Sequence, residues 1–429
     1  MVSRPAGSEH ATNGNGTQSR TPYEDAVLGF REYWYPVCCT GDITETPKSY
    51  TLLGDPVAIV RRDGKAYAVK DECPHRGTQF SMINTRKNWE FPGTCTITCP
   101  YHGWTYDLKD GRCVAVISEG PESPVPQSGV RVRTYPIEER RGLIWIWMGS
   151  LKPVPVEDDI PNLMLDPKAV VRAFSRIKYG NWRFHAENPS GGHATMVHKS
   201  TLRQWASRGG VQQVGLPFDP GYVEDLDHKG ISTNVGGGKP SPTREFPGLG
   251  EWDPKPRWQH VLFDWIPSRA DFRRPVQGIR SSMLMLPGIF RQPNFPNTAY
   301  MYYEWYVPVD EDHYIYMQIS CAWPKNRMDR IRYALKYYLW DRPTGPVLFN
   351  NQDAAMVAAT TNYFKRTGNM HYLSKAPYDR IHHLWRAYAN EQARGVGTKY
   401  RANAPVEAAG AFEESAPAAT ATMAGGGGG

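Results

Sequence analysis

The chain has 429 residues, enough for two domains that each bury a core. Its net charge is +7, and residues 31–150 carry 15 Lys and Arg against 14 Asp and Glu, without the basic face of a nucleic-acid-binding protein. Residues 1–22 lack the apolar stretch of a secretory signal, and no later run reaches 18 apolar residues. Composition therefore argues against nucleic acid and membrane as partners and predicts a cytoplasmic protein.

Both ends of the chain, residues 1–22 and 404–429, are low in complexity and are predicted to be disordered. Between them, residues 23–152 alternate short β-like runs with turns, and Asp63-Gly64 is a hairpin signal. The strand-like runs are SYTLLG, PVAIVRRDGKAYAVKD, TCTITC, GWTYDLKDGRC and GLIWIWMG. This pattern predicts a small all-β domain.

A second domain is predicted over residues 153–403, beginning with the proline-rich linker LKPVPVEDDIPNL. A helix is expected from Asn181 to about Ala206, and residues 216–257, rich in Gly, Pro and charge, are expected to be a long irregular loop. Helical patterns follow the last of the strand-like runs, which are AVVRAFSRIKYG, SSMLMLPGIF, AYMYYEWYVPV and HYIYMQISCAWP. The predicted fold is α+β, with an antiparallel sheet and helices on one side.

Two cysteine–histidine pairs stand out in the first domain. Cys73 and His75 lie in CPHRG, and Cys99 and His102 lie in CPYHGW, with 23 residues between His75 and Cys99. A single pair of this kind occurs by chance, and structural zinc usually groups cysteines on one knuckle and histidines on another. Here each segment supplies one thiolate and one imidazole, which favours a Rieske [2Fe–2S] cluster over zinc.

The residues beside the four cluster ligands indicate the type of Rieske centre. Respiratory Rieske proteins join the two loops by a disulfide. The positions of its two cysteines are occupied by Thr78 and Tyr101 in this chain. Without that disulfide, and with Trp104 after the second histidine, the segment resembles the lower-potential centres of oxygenases. Glycines Gly77 and Gly103 are expected to let the backbone approach the cluster.

A cluster that moves single electrons suggests a second redox site further along the chain. His193 and His198 are spaced H-x4-H, which leaves them about 140° apart on an ideal helix, so they converge only if the helix begins there or is locally widened. Asp353 lies near the start of a predicted helix, where capping is the simpler role without context. In the context of a Rieske domain, the three are expected to form a two-histidine, one-carboxylate set for Fe(II), whereas His185 is expected to be a packing residue.

The chain resembles Rieske non-haem iron oxygenase α-subunits, especially the members that attack carbazole and 2-oxoquinoline. The similar segments include LGFREYWYPV, LLGDPVAIVRRDGKAY, CPHRG, TITCPYHGWTY, NWRFHAEN, HKS and FPNTAYMYYEWYVPVDEDHYIY, and the similarity covers most of residues 23–390. The resemblance implies a Rieske domain plus a helix-grip catalytic domain, Fe(II) held by His193, His198 and Asp353, and a head-to-tail homotrimer.

One position departs from that family. Its members usually place an Asp three residues before the first iron-ligand histidine, where it bridges to the cluster histidine of the neighbouring subunit. Ser190 occupies that position here. Glu187 and Asn188 are the candidates to take over this catalytic bridge.

The resemblance implies a terminal oxygenase that takes electrons from a ferredoxin or reductase and uses O2 to hydroxylate, or dihydroxylate, an aromatic or heteroaromatic substrate. Substrate contacts are expected after His198, in residues 216–257 and in residues 280–305. Two alternatives stay open. One is a Rieske monooxygenase or demethylase acting on a heterocycle or steroid, and the other is a Rieske electron-transfer protein without oxygenase activity.

Overall fold

The computed structural model describes residues 20–82, 95–188, 193, 197–198, 220–232, 279, 282–293, 300–370, 373–375 and 379–396. The predictions for residues 1–19, for Ser190, for the tail 404–429 and for most of the helix expected up to Ala206 lie outside this set.

The first domain is built from antiparallel strands, as the alternating runs predict. Its strands are β1 (Trp34–Cys39), β2 (Lys48–Leu52), β3 (Asp55–Arg62), β4 (Lys65–Lys70), β5 (Thr96–Thr98), β6 (Trp104–Asp107), β7 (Cys113–Val116), β8 (Thr134–Tyr135), β9 (Ile137–Arg140) and β10 (Leu143–Trp147). They form sheets ordered β2-β3-β4-β8, β5-β6-β7 and β1-β10-β9. The β3–β4 hairpin turns at Asp63-Gly64, where both residues have positive φ, which confirms the hairpin prediction.

The second domain contains one antiparallel sheet of seven strands. They are β11 (Val170–Tyr179), β12 (Gly221–Glu224), β13 (Lys229–Ser232), β14 (Met283–Met285), β15 (Ile289–Pro293), β16 (Tyr300–Pro308) and β17 (His313–Ala322), in the order β11-β17-β16-β15-β14-β13-β12. The strand predictions for this domain are confirmed.

The expected irregular loop at 216–257 is wrong for its described part, because β12 and β13 form a hairpin there. Two interactions explain the hairpin. The Asp225 carboxylate accepts hydrogen bonds from the backbone N–H groups of Asp227 and His228, which closes the turn. Gly230 lets β13 approach β14, since a Cβ at this position would lie 2.1 Å from the Leu284 carbonyl oxygen.

The helices are α1 (Pro22–Asp25), α2 (Asn162–Leu165), α3 (Trp182–Ala186), α4 (Arg327–Lys336), α5 (Asn350–Thr367) and α6 (Arg380–Gln392). Short 3₁₀ turns lie at Thr40–Asp42, Phe80–Met82, Val125–Ser128 and Val156–Asp158. Asn181 caps α3 by accepting a hydrogen bond from the Arg183 N–H, at the predicted helix start. No helix among the described residues has the length and apolarity to span a bilayer.

A π-helical run joins α4 to α5, at Tyr337–Asp341 and Pro343–Phe349. Pro343 and Pro346 have no N–H to donate, so the regular α-helical hydrogen-bond ladder cannot continue through this run. The Asn350 N–H consequently reaches back five residues, to the carbonyl of Gly345. Asp353 therefore lies in the first turn after the change from π to α geometry.

The two domains share a core. Trp145 of β10 packs edge-on against Trp305 of β16, with ring centroids 5.7 Å apart. Fully buried Tyr23 of α1 contacts Trp182 and Trp385, which belong to the second domain. The sequence-based boundary at residue 23 therefore assigns α1 to the first domain, although it packs on the second.

Candidate functional site: two metal centres

The four predicted cluster donors lie at the tips of two loops that repeat one turn. In the loop after β4, the Gly77 N–H donates to the Cys73 carbonyl at 2.8 Å, and between β5 and β6 the Gly103 N–H donates to the Cys99 carbonyl at 3.1 Å. Each cysteine therefore begins a tight turn that ends at the glycine, and the histidine lies inside it.

The thiols of the two loops are more deeply buried than the imidazoles. Cys73 and Cys99 are buried, whereas His75 and His102 are half-buried, with ring centroids 4.8 Å apart. Hydrogen bonding between the two thiols lowers the pKa of Cys73 and raises that of Cys99. This arrangement fits a Rieske cluster, in which two thiolates hold the inner iron and two imidazoles the outer iron.

Both loop glycines have a left-handed backbone, with φ of +73° at Gly77 and +68° at Gly103. A Cβ at Gly103 would also lie 2.8 Å from Cβ of Ile117, whereas a Cβ at Gly77 would meet no atom within 4 Å among the described residues, its chain neighbours aside. The backbone conformation of the turn therefore requires both glycines, and Ile117 adds a steric requirement at Gly103. Their role in close approach to the cluster stays a prediction. Trp104 stacks on His75, with ring centroids 4.4 Å apart and planes 10° apart.

The second predicted donor set also comes together. His193 Nε2 lies 3.2 Å and His198 Nε2 2.8 Å from the same oxygen, Oδ1 of Asp353. One potential ligand atom from each of the three residues lies within 4.8 Å of the others. The Val197 N–H donates to the His193 carbonyl at 2.8 Å, which is an ordinary α-turn. The hydrogen bond spans four residues, as in an α-helix, and not five, as in the π-bulge that was considered for the H-x4-H spacing.

Gln352 of α5 and Phe349, which directly precedes α5, set the orientation of His198. Its Nδ1 lies 2.9 Å from Oε1 of Gln352, an acceptor, so Nδ1 carries a proton and Nε2 is the ring nitrogen turned towards the Asp353 carboxylate. The Phe349 ring stacks on the imidazole at a centroid distance of 3.6 Å. A metal-binding histidine usually donates its other ring N–H in this way. The donor set thus fits a mononuclear iron of the two-histidine, one-carboxylate kind.

Asp353 is buried and keeps its charge. Burial alone favours the neutral acid, but hydrogen bonds from His193 and His198 outweigh it and hold the pKa of Asp353 below its usual range. Asn188 adds a further hydrogen bond, from its Nδ2 to Oδ1 of Asp353 at 2.8 Å. Sequence reasoning named Asn188 only as a bridge candidate, and it missed Gln352 and Phe349, which carry no motif.

The two bridge candidates have different surroundings. Oxygens Oε1 and Oε2 of buried Glu187 accept from Nε and Nη2 of Arg386, at 2.7 and 2.9 Å. Asn188, in contrast, contacts the predicted metal ligand directly. His185 is buried, and burial lowers its pKa to about 3, which agrees with the predicted packing role.

Comparison with known proteins agrees with this geometry. Residues 33–136 match the family described as the Rieske [2Fe–2S] domain, and residues 147–397 match that of homotrimeric ring hydroxylases. The terminal oxygenase component of carbazole 1,9a-dioxygenase from Metapseudomonas resinovorans is 28% identical over 379 residues, which are 88% of this chain and 94% of the relative. The corresponding component from a Sphingomonas species is 32% identical over 301 residues, 69% of this chain and 74% of the relative.

A solved structure shows the same likeness in three dimensions. The reduced complex between oxygenase and ferredoxin in carbazole 1,9a-dioxygenase superimposes with a TM-score of 0.68 at 27% identity, covering 88% of this chain and 93% of the solved one. The resemblance found in the sequence is confirmed, as is the α+β fold of a Rieske domain with a catalytic domain. The chain belongs to the homotrimeric ring hydroxylases, the Rieske non-haem iron oxygenases that combine a [2Fe–2S] cluster with a mononuclear iron.

Proposed function

We propose that this protein is the terminal oxygenase of a Rieske system that uses O2 and electrons from a ferredoxin or reductase to hydroxylate an aromatic or heteroaromatic ring. The observation that carries the proposal is the convergence of His193, His198 and Asp353 in a chain that also presents a cluster-type donor set. Cys73, His75, Cys99 and His102 would hold the cluster.

The bound iron centres supply electron transfer and oxygen reduction, and the chain supplies the geometry. The Gln352 side chain keeps His198 in the tautomer that exposes Nε2, and Asn188 holds Oδ1 of Asp353. The His198 side chain is fully buried, whereas His193 is 24% exposed. The site is therefore closed on the His198 side and accessible beside His193.

The relatives suggest the partners. Several solved oxygenases of carbazole 1,9a-dioxygenase are complexed with ferredoxin, and some of these are bound to carbazole or fluorene. We infer an apolar polycyclic substrate, a homotrimer and a cytoplasmic location for this chain. The half-exposed cluster histidines support a protein donor, because an electron carrier must approach the imidazoles closely.

Oxygen uptake by the reduced protein tests the proposal. Anaerobically reduced enzyme is mixed with O2 and a panel of polycyclic and heteroaromatic compounds. Uptake coupled to hydroxylated product is expected with at least one of them, and Asp353→Ala should abolish it while keeping the Rieske spectrum. Uptake that survives in Asp353→Ala would contradict the assignment of this ligand.

Labelled O2 distinguishes the outcomes within the enzyme class. A cis-diol contains both oxygen atoms and consumes two electrons and two protons, whereas monooxygenation or demethylation places one atom in the product and the other in water. We expect two labelled atoms. A single labelled atom would favour the monooxygenase alternative, and a pure electron carrier would give no labelled product with any compound.

A further inference from the structure

A polar network lies beneath α5, on the face of the sheet that α3 and α5 cover. Glu304 of β16 is buried and accepts hydrogen bonds from three tyrosine hydroxyls, those of Tyr302 (2.8 Å), Tyr316 (2.7 Å) and Tyr306 (2.5 Å). The ammonium of Lys178, on β11, lies 4.6 Å from the centre of the Tyr316 ring. The network therefore buries one acidic and one basic side chain.

Lys178 connects this network to α5. Its Nζ donates to the main-chain carbonyl of Asn350 at 3.1 Å and also to the side-chain Oδ1 of Asn350. A third acceptor, Oδ1 of Asn351, lies at 3.3 Å. All three protons of the ammonium therefore reach the first two residues of α5, where the helix changes from π to α geometry.

The contact with Lys178 fixes side chains further into the site. Because an ammonium can only donate, the Oδ1 of Asn350 must face Lys178 and its Nδ2 must face Nε2 of His185, 3.3 Å away. His185 Nε2 is then an acceptor, and its Nδ1–H is left to donate to the Tyr314 hydroxyl. One lysine thus determines the orientation of an amide and an imidazole.

The turn that Lys178 contacts also carries residues of the metal site. Phe349 stacks on His198, Gln352 accepts from its Nδ1, and Asp353 faces its Nε2. We propose that Lys178 is a positioning residue for the mononuclear metal site, which acts by anchoring the first turn of α5 at Asn350. This inference rests on the proposed function, because it concerns the same metal site.

A simpler role for Lys178 is to balance the charge of Glu304, and metal affinity can separate the two roles. Co²⁺ serves as the probe, titrated anaerobically into cluster-loaded protein depleted of the mononuclear metal, with its visible absorption as the readout. We expect Lys178→Met to bind Co²⁺ about tenfold or more weakly, the usual effect of losing an outer support. Its Rieske spectrum should be unchanged.

The double variant Lys178→Met/Glu304→Gln decides between the roles. If Lys178 only balances charge, removing both charges restores wild-type affinity, and the inference is overturned. If Lys178 positions the turn, affinity stays low. Wild-type Co²⁺ affinity in Lys178→Met alone would also overturn the inference.

Asn350→Ala is the second variant, in case Lys178→Met does not fold. It keeps both charges and removes the side-chain acceptor, so weaker binding is expected, and wild-type binding would contradict the inference. Asn351→Ala, which removes only the longest contact at an exposed residue, is the matched control and should bind normally. A wild-type protein that binds no Co²⁺ would instead contradict the proposed function.

Discussion

Asn188 Nδ2 lies 2.8 Å from Oδ1 of Asp353, although 165 residues separate them in the chain. This hydrogen bond fixes the same carboxylate oxygen that both histidines face. It links the segment after α3 to the first turn of α5. Asn188 therefore supports the carboxylate itself, whatever it contributes to a bridge between subunits.

Asn188→Ala should weaken iron binding at the mononuclear site by about tenfold or more, because supporting hydrogen bonds orient a ligand and tune its basicity. Equilibrium dialysis against Fe(II) under anaerobic conditions, with the Rieske spectrum as internal control, measures the effect. Unchanged affinity would show that the contact has no role in holding Asp353.

Glu187→Ala should act on stability. Buried Glu187 pairs with Arg386, so the alanine leaves a guanidinium that is only 18% exposed without its carboxylate, at a cost of about 3–5 kcal/mol. We expect a lower thermal midpoint and near-normal iron content in the folded fraction. The double variant Glu187→Leu/Arg386→Met removes both charges and should recover much of the loss. A Glu187→Ala protein of full stability but without electron transfer to the mononuclear iron would instead support the bridge role.

The two loop glycines offer a matched pair of substitutions. Both need a left-handed backbone, which costs a side chain about 1–2 kcal/mol, but only Gly103 also meets Ile117. Gly103→Ala should therefore reduce cluster occupancy more than Gly77→Ala. Absorbance of the cluster relative to protein gives the occupancy. Equal losses would indicate that backbone conformation alone determines the requirement.

The buried imidazole of His185 predicts a pH dependence of stability. Burial lowers its pKa to about 3 in the folded chain, against about 6.5 when unfolded, so the unfolded state binds more protons between these values. Stability is therefore lost as the pH falls below about 6.5, by up to about 1.4 kcal/mol per pH unit. Denaturant unfolding of wild type and His185→Gln across this range tests the sign. Parallel curves would contradict it.

The cluster loops could be predicted from sequence because their donors are local. Cys73 and His75, like Cys99 and His102, belong to one tight turn each, so their spacing alone reports the geometry. The β3–β4 hairpin was predictable for the same reason, because its signal, Asp63-Gly64, is local.

The mononuclear site needed more than local pattern. Asp353 meets His198 across 155 residues, and only the presence of a Rieske domain and the resemblance to a family connected them beforehand. Lys178 and Glu304 lie on strands among aromatic residues, and nothing local shows that both face α5. The hairpin of β12 and β13 was missed because Gly230 resembles a loop signal in the sequence. In the structure it lies within a strand and allows β13 to approach β14 closely.

Metal analysis of anaerobically purified protein tests the central claim most directly. A chain with both centres should contain about three irons and two acid-labile sulfides, two irons and the sulfides in the cluster and one iron at Asp353. Asp353→Ala should retain about two irons and both sulfides. Protein that holds zinc without acid-labile sulfide, or wild type that never exceeds two irons after reconstitution with Fe(II), would contradict the account.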